Sequence, residues 1–170
     1  LKAAAILRSS WKGDGPAPEF LMIGPKASGE GDFEHKLERL VSAPDLKGHV
    51  HHVPFAEKIG DWYKTLDVVV CPSRREGFGR TAVEAMLAGT PIVASYPEAA
   101  EIIDDGVTGL LSAPEYVDEL AKKIEAALRD KAGSEKRVKA ARKVARERFG
   151  PKRYMKDLEK IYAELLEGSA

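Results

Sequence analysis

The chain has 170 residues, of which 44% are hydrophobic and 32% are charged. This length is enough to bury the core of one domain. The 27 basic residues equal the 27 acidic residues, so no net positive field argues for a nucleic-acid partner. No run approaches the roughly 20 apolar residues of a membrane-spanning helix. The composition therefore indicates a globular domain and excludes a dedicated nucleic-acid binder.

The first residues indicate that the chain is a fragment. It opens on Leu1 without an initiator methionine or a targeting segment. Residues 1–7 already have the composition of a helix, and no capping residue precedes them. We therefore expect that residues before Leu1 belong to the same protein.

Short apolar runs alternate with helical patterns over the first two thirds of the chain. The predicted strands are 20–23, 50–53, 67–71, 91–94 and 109–111. The predicted helices between them lie near 32–42, 57–65, 80–88 and 97–103. This alternation predicts an α/β fold with a parallel sheet and helices on both faces. The continuous apolarity of residues 68–70 favours a central strand that is buried on both sides.

After Pro114 the pattern is helical only. The first of these helices carries apolar residues from Tyr116 to Leu128, and Gly133 is its predicted stop. The second is predicted from Ser134, as its N-cap, to Arg148. A third helix follows Gly150. We expect a Rossmann-like domain over residues 1–150 and a separate C-terminal helix within 151–170.

Residues 76–84 form the most informative segment of the chain. A glycine-containing turn, Glu76 to Gly79, follows a buried strand and leads into a helix. Glycine lets the backbone turn sharply and approach a ligand closely. The first N–H groups of the helix can hold an anion. Two carboxylates, Glu76 and Glu84, frame the turn and can accept from hydroxyl groups. Phosphate and hydroxyl groups together are typical of a sugar nucleotide.

The segment 72–91 resembles the donor-binding signature of family 4 glycosyltransferases, which are retaining enzymes of the GT-B fold. Pro72-Ser73 precedes the turn, and Glu84 follows Glu76 at the spacing of the family. The sequence Gly89-Thr90-Pro91-Ile92-Val93-Ala94 matches the next helix stop and strand of the family. The resemblance covers nearly the whole chain.

The resemblance implies a fold and an activity. The chain would be the C-terminal, Rossmann-like half of a GT-B enzyme and would lack its first strand. The whole enzyme would move a sugar from a nucleotide diphosphate sugar to a hydroxyl acceptor, with no bound metal or cofactor. The acceptor-binding N-terminal domain would be missing, and the helix in 151–170 would pack on it. The fragment alone would bind the donor weakly and transfer nothing. The expected compartment is the cytoplasm, with any membrane association through the missing half.

The resemblance and the helix geometry together assign roles to eight residues. Glu76 would contact the transferred sugar as the catalytic carboxylate, and Glu84 would bind the ribose hydroxyls. The residues expected to bind the rest of the donor are Val53, Gly77, Phe78, Gly79, Arg80 and Thr81.

Alternatives stay open for several of these positions. Phe78 could be a core residue instead of a pocket wall, Arg80 a solvated helix start, and Thr81 an N-cap. For the protein as a whole, the alternatives are a non-catalytic nucleotide-binding module and a GT-B sugar-nucleotide epimerase.

Metal-binding patterns are weak in this sequence. His49 and His51 have the spacing of one strand face, yet no carboxylate or cysteine sits beside them in the sequence pattern. Asp104 and Asp105 are adjacent and precede Gly106, which indicates a turn. The one cysteine, Cys71, lies in a predicted core strand and is interpreted as a buried packing thiol.

Overall fold

The computed structural model describes residues 1–12, 15–24, 32–95 and 97–167. Its strands are β1 Phe20–Ile23, β2 Val50–Val53, β3 Val69–Cys71, β4 Ile92–Ala94 and β5 Leu110–Leu111. Its helices are α1 Lys2–Ser10, α2 Asp32–Val41, α3 Ile59–Thr65, α4 Arg80–Ala88, α5 Val117–Arg129, α6 Lys131–Phe149 and α7 Pro151–Glu167. A 3₁₀ helix spans Pro97–Glu101. The predicted order of strands and helices is confirmed.

All strand pairs are parallel, as the alternating pattern predicts. They form two hydrogen-bonded groups, β1–β2 and β3–β4–β5. Phe20 is in register with Val50 in the first group, and Val69 with Ile92 in the second. Within the described residues, β1 and β3 each pair along one edge only. The strands are therefore parallel as expected, but they form two ladders and not one continuous sheet.

Residues 68–70 pack on the core clusters of both faces, but β4 is the strand that is most completely buried. All three residues of β4 are buried, whereas Val70 in β3 is only half-buried. Ile92 and Ala94 belong to a core cluster with residues of α3, α4 and α6. Val93 belongs to a second cluster with Leu7 of α1 and residues of α5. The physical reason is that β4 has a strand on each edge and a layer of helices on each face.

The start of α6 differs from the prediction. Asp130, not Ser134, is the N-cap, and its Oδ1 accepts from the N–H of Gly133 at 2.9 Å. Ser134 is buried inside the helix, and its hydroxyl donates to the carbonyl of Ala127 at 2.7 Å. Gly133 is therefore a helical residue and not a stop. An aspartate three residues before a free N–H satisfies that donor directly, which explains the earlier start.

The last helix, α7, has no buried residue. Its exposed large apolar side chains are Tyr154, Met155, Ile161, Tyr162, Leu165 and Leu166. They account for about half of the exposed large hydrophobic residues of the described chain. A surface of this kind typically marks an interaction site. None of the described helices is both long enough and apolar enough to span a membrane.

Candidate functional site

The turn between β3 and α4 has the geometry of an open helix start. Gly79 is the N-cap, in the left-handed conformation with φ 78° and ψ 41°, where a glycine has no steric penalty. Gly77 does not have a positive φ, and a Cβ built there would meet no atom within 4 Å. The sharp turn therefore depends on Gly79, and the protein itself gives no steric reason for glycine at position 77.

The first turn of α4 leaves backbone donors unsatisfied. Among the residues that the structure describes, no side chain caps the helix, and its first turn contains no acidic residue. The N–H groups of Ala82 and Val83 reach the carbonyl of Gly79, at 3.0 and 3.5 Å. Within the described part of the chain, the N–H groups of Arg80 and Thr81 have no acceptor. Together with the helix dipole, these two donors can bind an anion.

Arg80 and Thr81 are the first two residues of α4. Thr81 is not the N-cap, because Gly79 takes that role. The Arg80 side chain is 83% exposed, and its Nε lies 3.8 Å from Oε1 of Glu84. This contact is a loose surface pair of the kind that contributes little.

Glu76 is partly buried at the start of the turn. Its Oε2 accepts a hydrogen bond of 2.9 Å from the hydroxyl of Ser73. This bond spans the loop that follows β3 and fixes one carboxylate oxygen. A carboxylate has lone pairs for several donors, so Glu76 keeps the capacity to accept from a ligand hydroxyl.

Glu84 lies in the second turn of α4, and its side chain is 36% exposed. Its Oε2 accepts from the hydroxyl of Tyr63, at 3.3 Å. Tyr63 belongs to α3 and is only 6% exposed. The two site carboxylates are thus each held by a hydroxyl group, and each is partly open to solvent.

Cys71, the last residue of β3, is affected by the charges of both carboxylates. Burial raises the pKa of its thiol to about 12, and the negative charges of Glu76 and Glu84 contribute to the same rise. Both carboxylates therefore lie near the carboxyl end of this strand. The thiol is free and buried, which confirms the prediction of a packing cysteine.

A cavity of about 630 Å³ lies beside the start of α4. It includes Phe78, Arg80, Val83 and Glu84 in its lining. Phe78 is 58% exposed, so it is not a core residue. Its ring meets the ring of Phe149 edge-on, with centroids 5.6 Å apart.

The other side of this cavity comes from a part of the chain that the sequence analysis did not connect to the site. It consists of Arg148, Phe149, Pro151, Tyr154 and Asp157. These residues end α6 and begin α7, about seventy positions after the turn in the sequence. Their local pattern is that of ordinary amphipathic helices, so the sequence offered no signal for this role.

Val53 lies in the other ladder, at the carboxyl end of β2. Its carbonyl accepts from the N–H of Gly24 at 3.0 Å, and Nε2 of His52 bonds to the carbonyl of Gly24 at 2.8 Å. Val53 therefore ends a well-bonded strand edge. The predicted contact of Val53 with a ligand stays a prediction.

The fold brings a carboxylate to His49 and His51 that is distant from them in the sequence. Glu19 bonds to both, at 2.8 Å from His49 Nδ1 and 2.9 Å from His51 Nε2. The register of β1 against β2 brings this residue across from the two histidines. The hydrogen bonds from His51 and His49 lower the pKa of the Glu19 carboxyl. Across the described ranges, no group of three or more His, Cys, Asp or Glu residues is arranged to hold a metal ion.

Comparison with known proteins agrees with this geometry. A family model described as "Glycosyl transferases group 1" matches residues 1–145. A D-inositol 3-phosphate glycosyltransferase of Arthrobacter sp. (strain FB24) is 40% identical over 117 residues, which is 65% of this chain and 26% of the relative. The chain thus aligns with about a quarter of that protein.

The chain also resembles solved structures. The chain resembles Anabaena Alr3699/HepE in complex with UDP-glucose, with a TM-score of 0.80 and 27% identity, over 98% of this chain and 44% of that one. It also resembles the C-terminal domain of a group 1 glycosyl transferase (LpcC) from Francisella tularensis, with a TM-score of 0.76 and 27% identity. That match covers 88% of this chain and 77% of the other.

Proposed function

Because the chain belongs to the group 1 glycosyl transferases, which have the GT-B fold, we propose that it is the donor-binding part of a retaining enzyme. This enzyme moves a sugar from a nucleotide diphosphate sugar to a hydroxyl acceptor. The observation that carries the proposal is the open start of α4, where the N–H groups of Arg80 and Thr81 lie between the carboxylates Glu76 and Glu84 and have no acceptor among the described residues.

The donor diphosphate binds at the backbone of Gly77, Gly79, Arg80 and Thr81. Negative charge grows on the diphosphate as the sugar leaves, and donors that are already oriented stabilise it without reorganisation. The absence of any acidic residue in the first turn of α4 supports this role, since a carboxylate there would repel the anion.

The two carboxylates bind the hydroxyl-bearing ends of the donor. Glu84 accepts from the ribose hydroxyls, as acidic residues do in dinucleotide-binding folds. Glu76, fixed by Ser73, orients the transferred sugar near the positive charge that develops at its anomeric carbon. Phe78 forms a wall of the sugar pocket, and Val53 contacts the nucleobase. The complex of Alr3699/HepE with UDP-glucose supports a sugar nucleotide as the class of donor.

The acceptor site lies between this chain and a further domain of the same protein. The solved relative Alr3699/HepE is more than twice as long as the part that this chain matches, which supports such a domain. The exposed apolar face of α7 is proposed to dock on it.

The unpaired edges of β1 and β3 support a further strand between the two ladders. We therefore expect weak donor binding and no sugar transfer from these 170 residues alone. The free, buried Cys71 is consistent with a cytoplasmic location.

The test is a binding titration of the chain with UDP, GDP and ADP. We expect one diphosphate to bind and Glu84→Ala to weaken it by roughly 10- to 100-fold, the range for hydrogen bonds to a charged group. Glu135→Ala is the matched control, because Glu135 is an exposed glutamate on α6 outside the cavity. Absence of binding on a folded sample, or equal affinity of Glu84→Ala and the unchanged chain, would refute the proposal.

A further inference from the structure

Tyr63 combines two properties that core packing alone does not require. Its ring belongs to the core cluster that contains Val69, Cys71 and Met86. Phenylalanine would fill this space equally well. The hydroxyl, however, leaves the core and donates to Oε2 of Glu84 at 3.3 Å. The side chain therefore links the apolar interior to a carboxylate of the proposed donor site.

The backbone of Tyr63 is fixed independently of that bond. Its carbonyl accepts a hydrogen bond of 2.6 Å from the hydroxyl of Thr90, which is 3% exposed. Thr90 follows Gly89, the C-cap of α4. Tyr63 thus contacts α4 through its hydroxyl, which bonds to Glu84 and also interacts with the side chain of Thr81, and its carbonyl holds Thr90 just beyond the C-cap.

The other partner of Glu84 cannot fix the carboxylate. Arg80 is 83% exposed, and its Nε lies 3.8 Å from Oε1. A solvated arginine moves between many rotamers, and an exposed pair of this kind contributes little. The Tyr63 ring, by contrast, is packed in the core, and the residue is only 6% exposed. Burial, and then the charge of Glu84, raise its pKa to about 12, so the phenol stays protonated and remains a donor near neutral pH.

We propose that Tyr63 is a positioning residue that orients the Glu84 carboxylate toward the two ribose hydroxyls of the donor. The inference rests on the proposed function, since Glu84 must bind those hydroxyls for its orientation to matter. The hydroxyl of Tyr63 occupies Oε2 from the protein side and leaves the remaining lone pairs of the carboxylate for the ligand. A carboxylate that is oriented before binding loses less freedom when the ligand arrives.

The test compares Tyr63→Phe with Glu84→Ala and with the control Tyr116→Phe, whose side chain is 65% exposed. NMR-detected titration follows weak binding of the preferred nucleoside diphosphate and of its 2′,3′-dideoxy form. In the unchanged chain, removal of both ribose hydroxyls should weaken binding by roughly tenfold or more. Tyr63→Phe should lower affinity for the normal nucleotide about fivefold and leave affinity for the dideoxy form unchanged.

Each result decides between the two ideas. If the unchanged chain binds no diphosphate, or Glu84→Ala has no effect, the proposed function fails. If Glu84→Ala weakens binding and Tyr63→Phe behaves as the unchanged chain, only the positioning role fails. Equal loss for both nucleotide forms in Tyr63→Phe would indicate a structural role and overturn the inference. Unfolding of Tyr63→Phe would do the same, since it would assign the hydroxyl to the fold.

Discussion

Gly109 stands at a point where the core leaves no room for a methyl group. It precedes β5, and a Cβ built on it would lie 2.7 Å from Cγ2 of Ile92 and 2.9 Å from Cγ2 of Ile103. The carbonyl oxygen of Ile92 would be 3.1 Å away. Carbon atoms in favourable contact are about 3.5–4.0 Å apart, so both methyl groups are roughly 1 Å too close. The substitution Gly109→Ala therefore forces the core to move.

The size of the effect follows from the surroundings. Ile92 is 2% exposed and Ile103 is 1% exposed, so neither can move into solvent. Overpacking of a core costs about 1–3 kcal/mol. Loss of glycine flexibility in the unfolded chain offsets about 0.4–1 kcal/mol of this. The difference is a net loss of at most about 2.6 kcal/mol and about 1.3 kcal/mol at the middle of the two ranges. The mid-range value lowers the thermal midpoint of a domain of this size by about 3–5 °C.

The assay is thermal and urea unfolding followed by far-UV circular dichroism. Gly60→Ala is the matched control, because Gly60 lies in α3 and a Cβ there would meet nothing within 4 Å. That control should gain about 0.4–1 kcal/mol, because Gly60 has no positive φ and alanine reduces the freedom of the unfolded chain. The two identical substitutions are thus expected to have opposite signs. A midpoint for Gly109→Ala at or above that of the unchanged chain would contradict the packing of β4 against the loop before β5.

Three further predictions concern Cys71, Tyr63 and Asp130. The Cys71 thiol is buried, and its pKa is raised to about 12. At neutral pH it should react with a thiol reagent only after the chain is unfolded in urea. Fast reaction of the native chain would contradict this burial. The pKa of Tyr63 is raised from 10.0 to about 12. In an alkaline titration followed by tyrosine absorbance, the ionisation step at the highest pH should therefore be absent from Tyr63→Phe. Because the folded pKa is above the unfolded one, the stability from Tyr63 is fully present below pH 10 and is lost as pH rises toward 12; unfolding curves independent of pH in that window would contradict this. Asp130→Ala should destabilise the chain by about 0.5–2 kcal/mol through loss of the α6 N-cap, measured by urea unfolding; an unchanged midpoint would mean that the cap contributes nothing.

The parts of this fold that the sequence predicted are those with a local cause. An apolar run, a glycine turn and a helical pattern lie next to one another between Val69 and Ala88, so the open start of α4 could be predicted. The same holds for β1, β4 and β5, whose apolar patterns are continuous. The start of α6 was missed because Asp130 and Ser134 are both good caps, and only the contact of Ser134 with the carbonyl of Ala127 decides between them.

The parts that the sequence did not predict depend on contacts between distant residues. Glu19 meets His49 and His51 because of the register between β1 and β2, which no local pattern encodes. The contact of Tyr63 with Glu84 depends on how α3 lies against α4. In the same way, residues at the junction of α6 and α7 complete the cavity beside Phe78 only after the chain has folded.

The central claim is that the start of α4 binds the diphosphate of a nucleotide donor. The most direct measurement is a set of amide ¹H–¹⁵N NMR spectra of the labelled chain during titration with the diphosphate that binds. We expect the largest shifts at the backbone amides of Gly79, Arg80 and Thr81, none of which has an acceptor within the described residues. The opposite result would be unchanged signals from these three amides and shifted signals from basic residues of α6, such as Arg142 and Arg146. That result would contradict diphosphate binding at the start of α4.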